Sequence, residues 1–175
     1  MMFDIRGKDI KVTKAIEGYV KEKVSKIEKY FSNPENLKVQ VLIKVKNLDQ
    51  IIEVTIYTKD FTIRAEEKNR DLYSSIDLVS DKIERQIRKN KTKLNKIDKE
   101  KVKEFVLNYD SEEEEVSNKV VKRKKINSKP MNEEEAILQM EMLDHDFFLY
   151  KDSKDMKIKL LYKRKDGNYG LIETN

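Results

Sequence analysis

The chain has 175 residues, of which 41% are charged and 38% hydrophobic, and its formal net charge at pH 7 is +5. It contains no cysteine, which excludes disulfides, thiol catalysis and cysteine-ligated zinc. No apolar run approaches the roughly 18 residues of a membrane span, and no secretory leader is visible, so we expect a cytoplasmic protein of one domain or two small ones.

Alternation of apolar and polar residues predicts four strands in the first part of the chain. The first strand begins at Phe3 and Ile5. The other three carry apolar residues at every second position: Val39 to Val45, Ile52 to Ile56, and Phe61 to Ala65. This spacing places one side of each strand in a hydrophobic core.

Two helices interrupt these strands. Thr13 is a suitable N-cap for the first helix, whose apolar residues continue at helical spacing as far as Phe31, and Pro34 ends it. Asp71 is a suitable cap for the second helix, expected over residues 71–93. The order β-α-β-β-β-α predicts an α+β sandwich, similar to a double-stranded-RNA-binding domain, with both helices on one face of a four-stranded sheet.

An acidic connector, residues 96–118, separates two basic parts of the chain, residues 1–95 and 119–175. The connector includes the four carboxylates of Glu112–Glu115. It has too few apolar residues to offset the entropy of ordering, so we expect a flexible linker between two domains. The basic first domain favours a polyanionic partner, although high charge can also serve solubility alone.

The second domain is predicted to have the order β-α-β-β-β. A strand is indicated at Val120, Val121 and Ile126 and ends at Pro130, and Asn132 then precedes a helix with acidic residues in its first turn. Three strands follow: Phe147–Tyr150, Lys157–Lys163 and Tyr169–Glu173, the last two joined by a turn at residues 166–168. A domain this small often gains stability by association.

The second helix of the first domain separates its charges. Four basic residues fall on one flank of its apolar stripe: Lys82, Arg85, Lys89 and Lys93. Three acidic residues fall on the other flank: Asp77, Asp81 and Glu84. A solvated helix usually interleaves charges so that residues four apart can pair. The segregation therefore indicates a surface that faces phosphates, the alternative being a solvated face without a ligand.

The first helix carries lysines at positions 23, 26 and 29, diluted by Glu22 and Glu28. Lysine recognises phosphate density rather than base identity. The aromatic motif of an RRM and the glycine loop of a KH domain are both absent from the sequence, which argues against sequence-specific binding of single strands.

Aromatic and aliphatic residues occupy both faces of the sheet predicted for the second domain. Because one helix covers one face only, the other face should meet a partner, and a two-fold homodimer is favoured over packing against the first domain. Alternation does not say which face is covered. The candidate interface residues are Phe147, Phe148, Leu149, Tyr150, Ile158, Leu160 and Tyr162.

Catalytic and metal sites are not indicated. His145 lies between Asp144 and Asp146, but neighbouring residues of a strand point to opposite faces and the sequence has no second histidine. Glu112–Glu115 lacks the spacing and glycine of a calcium loop. We therefore expect a protein that is not an enzyme and has no cofactor, metal, small-molecule substrate or membrane partner.

Three segments resemble the long form of the ribosome hibernation promoting factor family, and they occur in the same order. They are DLYSSIDLVSDKIERQIRK at 71–89, KPMNEEEAILQMEMLDHDFFLY at 129–150 and YKRKDGNYGLI at 162–172. The chain departs from the family at Asp144, where glycine is usual, and the sequence leaves the effect on the turn there open.

The resemblance implies a cytoplasmic stress-response factor that regulates translation. The first domain would bind rRNA of the small ribosomal subunit in the decoding region and block mRNA and tRNA, and the second would dimerise and pair ribosomes. The alternative is a general RNA-binding or RNA-chaperone protein with an oligomerisation tail. The candidate rRNA contacts are Lys23, Lys26, Lys29, Lys82, Arg85, Arg88, Lys89 and Lys93.

Overall fold

A computed structural model describes residues 1–59, 61–97 and 129–173, without the side chains of residues 91–97. Nearly all of the predicted linker at 96–118 therefore lies outside the described residues. The strand predicted at Val120, Val121 and Ile126 lies outside them as well. The described residues form two four-stranded sheets, each with its own helical layer, which is the predicted α+β arrangement of two domains.

The first domain has the predicted element order. Its elements are β1 (Met2–Lys8), α1 (Lys14–Val24), β2 (Lys38–Lys46), β3 (Asp49–Tyr57), β4 (Thr62–Asn69) and α2 (Leu72–Ile97). The sheet order is β1-β2-β3-β4, with β1 parallel to β2 and the other pairs antiparallel. The helices pack on one face, around a core that includes Val24, Ile52 and Ile83.

Side-chain caps begin both helices of the first domain, as predicted. The Ile16 amide donates to Thr13 Oγ1 over 3.3 Å, and the Ser74 amide donates to Asp71 Oδ2 over 2.7 Å. The expectation that the first helix reaches Phe31 was wrong, because α1 ends at Val24 and a 3-10 helix continues over Ser25–Tyr30. The second helix runs four residues beyond its predicted end, to Ile97.

The uncovered face of the first sheet is polar. Arg64 pairs there with Glu53 and Glu66, each at 3.0 Å. Arg64 lies diagonally across from Glu53 and two residues from Glu66 on its own strand, so it offsets the repulsion between these two carboxylates, which are directly opposite one another. Charged groups on a sheet discourage association with another copy. This face is therefore an unsuitable place for apolar association.

The second domain consists of β5 (Pro130–Met131), α3 (Glu133–Met142), β6 (Phe147–Asp152), β7 (Ile158–Lys163) and β8 (Tyr169–Glu173) in the sheet order β5-β6-β7-β8. Asn132 caps α3 by accepting from the Glu135 amide over 2.8 Å. Pro130 was expected to end a strand, but it lies within β5, an edge strand paired in parallel with β6. An edge position tolerates proline because its missing N–H faces away from the ladder.

Helix α3 lies between the two domains. Its residues Ala136, Met140 and Leu143 pack into the core of the second domain. Leu138 and Met142, on the opposite side of the helix, are fully buried and belong to the core of the first domain. The helix therefore joins the two cores instead of facing solvent on its outer side.

Candidate nucleic-acid interface

Two clusters of polar side chains span the groove between α2 and the segment made of α1 and the 3-10 helix that continues it, which we call the groove between α1 and α2. In the first, the Tyr19 hydroxyl donates to both carboxylate oxygens of Asp77, and Lys23 Nζ lies 2.8 Å from Asp77 Oδ1. Lys23 also lies over the Tyr19 ring, which packs edge-on against Tyr73. Hydrogen bonding to Lys23 lowers the pKa of Asp77, while Asp77 raises the pKa of Lys23, so both groups stay charged at neutral pH.

The second cluster repeats this arrangement one heptad along α2. The Tyr30 hydroxyl donates to Glu84 over 2.6 Å, Lys29 Nζ lies 3.0 Å from the same carboxylate, and Arg88 contacts both Tyr30 and Glu84. Hydrogen bonds from Tyr30 and Lys29 lower the pKa of Glu84 to about 2. The cluster holds Lys29 and Arg88 side by side on the helical surface.

The basic candidates fall on two sides of α2. Lys23, Lys29 and Arg88 line the groove toward α1. Lys82 and Lys89 lie on the flank away from α1 and pair with carboxylates of the second domain. The side chain of Lys93 lies outside the described part of the structure.

The two remaining candidates lie on the outer surface of the helices. Lys26 and Arg85 are exposed, and neither forms an ion pair within the described ranges. The predicted separation of charge on α2 also has a physical cause, because the acidic flank faces α1 and supplies Asp77 and Glu84 to the clusters. The tyrosines of these clusters were missed by the sequence analysis, although Tyr19 stands one helical turn before Lys23.

The second domain presents one apolar face to solvent. Phe147, Leu149, Ile158 and Ile172 are 65%, 39%, 50% and 52% exposed, with half-buried Leu160 and Tyr162 among them. The strand register places five of these residues opposite one another, in the pairs Phe147–Tyr162 and Leu149–Leu160 between β6 and β7 and the pair Leu160–Ile172 between β7 and β8, while Ile158 lies opposite Lys151. We call these six residues the open face. Ile172 was not among the sequence candidates.

Two of the interface candidates lie on the opposite, covered side of this sheet. Phe148 and Tyr150 are buried against α3, with Tyr150 wholly inaccessible. They therefore belong to the core of the second domain and not to a surface that a partner could reach. Lys159 is on the same covered side, where it lies 2.6 Å from the buried carboxylate of Asp152 and 2.7 Å from Glu173.

The turn after α3 places Asp144 in the left-handed region, with φ of 56°. The amide of Asp144 donates to Glu141 O and the amide of His145 donates to Met140 O, the two bonds of a Schellman motif. Glycine is favoured at this position because it lacks a Cβ. The aspartate is thus accommodated in the turn that glycine would form, at the cost of backbone strain.

Neither a metal site nor a membrane-spanning helix is found in the described ranges 1–59, 61–97 and 129–173. There, no three histidine or carboxylate side chains are arranged to hold a metal ion. None of the helices in these ranges is long and apolar enough to cross a bilayer. The features that remain as candidate sites are the basic helical surface and the open face.

Comparison with known proteins yields two family matches that follow one another along the chain. Residues 3–95 match the family described as Sigma 54 modulation protein / S30EA ribosomal protein. Residues 104–171 match Sigma 54 modulation/S30EA ribosomal protein C terminus.

Two solved structures are similar to the chain over about half its length. The N-terminal domain of Protein Y from Thermus thermophilus is 26% identical, with a TM-score of 0.48, and the match covers 51% of this chain and 98% of that domain. A ribosomal subunit interface protein from Coxiella burnetii is 20% identical, with a TM-score of 0.47, and the match covers 53% of this chain and 99% of that protein.

Proposed function

The chain belongs to the Sigma 54 modulation protein / S30EA ribosomal protein family, and we propose that it silences and pairs ribosomes. The family consists of ribosome-associated proteins and not of enzymes. The chain also has the two-part organisation of the long hibernation promoting factors. Its first domain, residues 1–95, binds rRNA of the small subunit in the decoding region and blocks mRNA and tRNA. Its second domain, residues 119–175, is joined to the first by the linker at 96–118 and pairs two ribosomes by dimerising.

The observation that carries the proposal is the basic surface formed by α2 and the 3-10 helix that continues α1. Lys26, Lys29, Arg85 and Arg88 are exposed on it. Ammonium and guanidinium groups on a rigid helical pair are suited to phosphate oxygens of folded RNA, and such contacts release counterions. The acid–tyrosine clusters support this role because they hold Lys29 and Arg88 in place before RNA arrives, which reduces the entropy lost on binding.

Pairing of ribosomes is supported by the open face. Exposed apolar residues on three neighbouring strands make a continuous surface that is too apolar to be left in water without cost. A second copy of the chain offers the same surface. A two-fold axis would bring the two open faces together, so that apolar residues of one copy contact apolar residues of the other. The polar outer sheet of the first domain offers no comparable surface.

The test is co-sedimentation of the full chain with purified small subunits at several salt concentrations. Changing Lys26 and Arg85 to Glu should weaken binding, and the slope of log K against log salt should fall by about 1 for each phosphate that is no longer neutralised. Lys38 and Lys46, on exposed ends of β2, supply the matched control, because Glu at both positions changes the net charge equally away from the helices.

Competition with tRNA separates the proposal from a general RNA chaperone. A factor that occupies the decoding region should lose its binding when tRNA fills the subunit. A chaperone should bind naked RNA and tRNA-filled subunits equally well.

Undiminished binding of the Lys26 and Arg85 double variant would refute the assignment of the helical surface.

A further inference from the structure

The outer side of α3 is apolar where a helix that covers a sheet is ordinarily polar. Leu138 and Met142 point away from the second domain's own core and are buried in that of the first domain. Asn90 on α2 donates to the Met142 sulfur over 3.8 Å. The second domain therefore has a built docking surface for the flank of α2, separate from its open face.

Two carboxylates, one in the last turn of α3 and one just after it, form ion pairs with candidate rRNA contacts. Glu141 lies 2.7 Å from Lys89, and Asp144 lies 2.9 Å from Lys82, which also pairs with Glu67 at 3.0 Å. Burial lowers the pKa of Lys82, but its hydrogen bonds to Asp144 and Glu67 outweigh it, so that this pKa is raised overall. Each lysine thus already has an anionic partner within the chain.

Backbone strain points to the same contact. Asp144 holds a left-handed conformation that glycine would adopt without strain, and its carboxylate is what reaches across to α2. Because glycine would form the same turn without strain, an aspartate at this position indicates a role for its side chain outside the turn. The contact with Lys82 is the role that the structure offers.

We propose that the second domain docks on α2 as an internal competitor of RNA, with Glu141 and Asp144 in the places of phosphate oxygens. The inference rests on the proposed function, because it assigns regulation to the same basic surface. The second domain lies against this flank of α2 and leaves the Lys82 side chain only 26% exposed, so RNA that contacts Lys82 must displace the second domain. The docked form and the fully RNA-bound form therefore exclude each other. The open face is not covered by docking, so two copies can pair while closed.

Cross-linking of the full chain tests docking and competition separately. The chain has no cysteine, so Glu67→Cys with Asp144→Cys introduces the only two thiols, on either side of Lys82. A short bismaleimide should join them within one chain, and mass spectrometry should show a product of single-chain mass. Linked protein should bind small subunits at least about tenfold more weakly than the same variant left unlinked.

Three results would overturn the inference. The first is ready labelling of both thiols without an internal link, since docking would then not be populated. The second is equal binding by linked and unlinked protein, since docking would then not compete. The third is failure of both the unlinked variant and the wild-type chain to bind small subunits. That result would refute the proposed function and with it the premise of competition. The yield of the internal cross-link would still report whether the second domain docks.

A second variant removes the competing carboxylates without a linker. Asp144→Gly with Glu141→Gln relieves the strained turn, deletes both ion pairs and should tighten small-subunit binding about three- to tenfold. Glu133→Gln with Glu134→Gln is the matched control, because it removes two exposed charges from the first turn of the same helix. Equal tightening by both pairs would attribute the effect to net charge and overturn the proposal.

Discussion

Replacing Ile158 by aspartate should separate paired copies of the chain while leaving each copy folded and able to bind a ribosome. Ile158 is half exposed on the open face, so the change removes little packing within one copy. In a symmetric pair the same substitution occurs in both copies. Each carboxylate would then lose its hydration at the interface, a cost that Lys151, directly opposite in β6, offsets only in part.

The magnitude follows from the exposure of the open face. The exposed fractions of Phe147, Leu149, Ile158 and Ile172 add up to roughly two full side chains in each copy. Burying such a side chain gains about 1.5–3 kcal/mol, so a pair gains roughly 6–12 kcal/mol before the cost of association, which is of similar size. A loss of about 3 kcal/mol or more would weaken the affinity of dimerisation at least about 100-fold.

The assay is light scattering on the full chain at micromolar concentration, followed by a sucrose gradient with ribosomes. Wild type should be dimeric and should pair ribosomes, whereas the Ile158 variant should be monomeric and should migrate with single ribosomes. Leu48→Asp is the matched control, because Leu48 is 74% exposed in the turn between β2 and β3. A monomeric wild type, or an Ile158 variant as dimeric as the control, would refute the reasoning.

Two further predictions concern stability, measured by circular-dichroism melts. Gly7→Ala should destabilise the first domain by at least about 1–3 kcal/mol, because its Cβ would lie 2.1 Å from the Ile10 carbonyl oxygen, whereas Gly18→Ala, in an open position on α1, should stabilise it by about 0.5–1 kcal/mol. Equal melting temperatures for the two variants would contradict this. Glu84 should contribute stability that is full above pH 4.5 and is lost as the pH falls toward 2, since its pKa is lowered from 4.5 to about 2 in the folded state. Wild type should therefore lose its advantage over Glu84→Gln across that range, and a constant difference between them would contradict the assignment.

Features set by neighbouring residues were predictable from the sequence. The caps at Thr13, Asp71 and Asn132 depend on an oxygen within three residues of an unpaired amide, and all three are present. The strands of the first sheet follow from alternation, because a period of two places one side of each strand in the core. The exact ends of elements depended on wider packing, as the change at Ser25 from α-helix to 3-10 helix illustrates.

Features set by residues far apart were not predictable in the same way. Alternation in β6 and β7 indicates two apolar faces, but only the position of α3 decides that Phe148 is buried and Phe147 exposed. Tyr30 and Glu84 meet across more than fifty residues of chain, and Lys82 meets a carboxylate of the other domain. Helical spacing shows which flank a charge occupies but gives no information about its partner.

The order of synthesis gives the groove between α1 and α2 a further consequence. Its clusters join Tyr19 to Asp77 and Tyr30 to Glu84, so the first half of each cluster is made long before the second. Until α2 has emerged, the nascent sheet lacks one of its covering helices and the domain cannot fold as a unit. The basic surface on α2 is therefore not complete until residues up to Ile97 have left the ribosome that makes the chain.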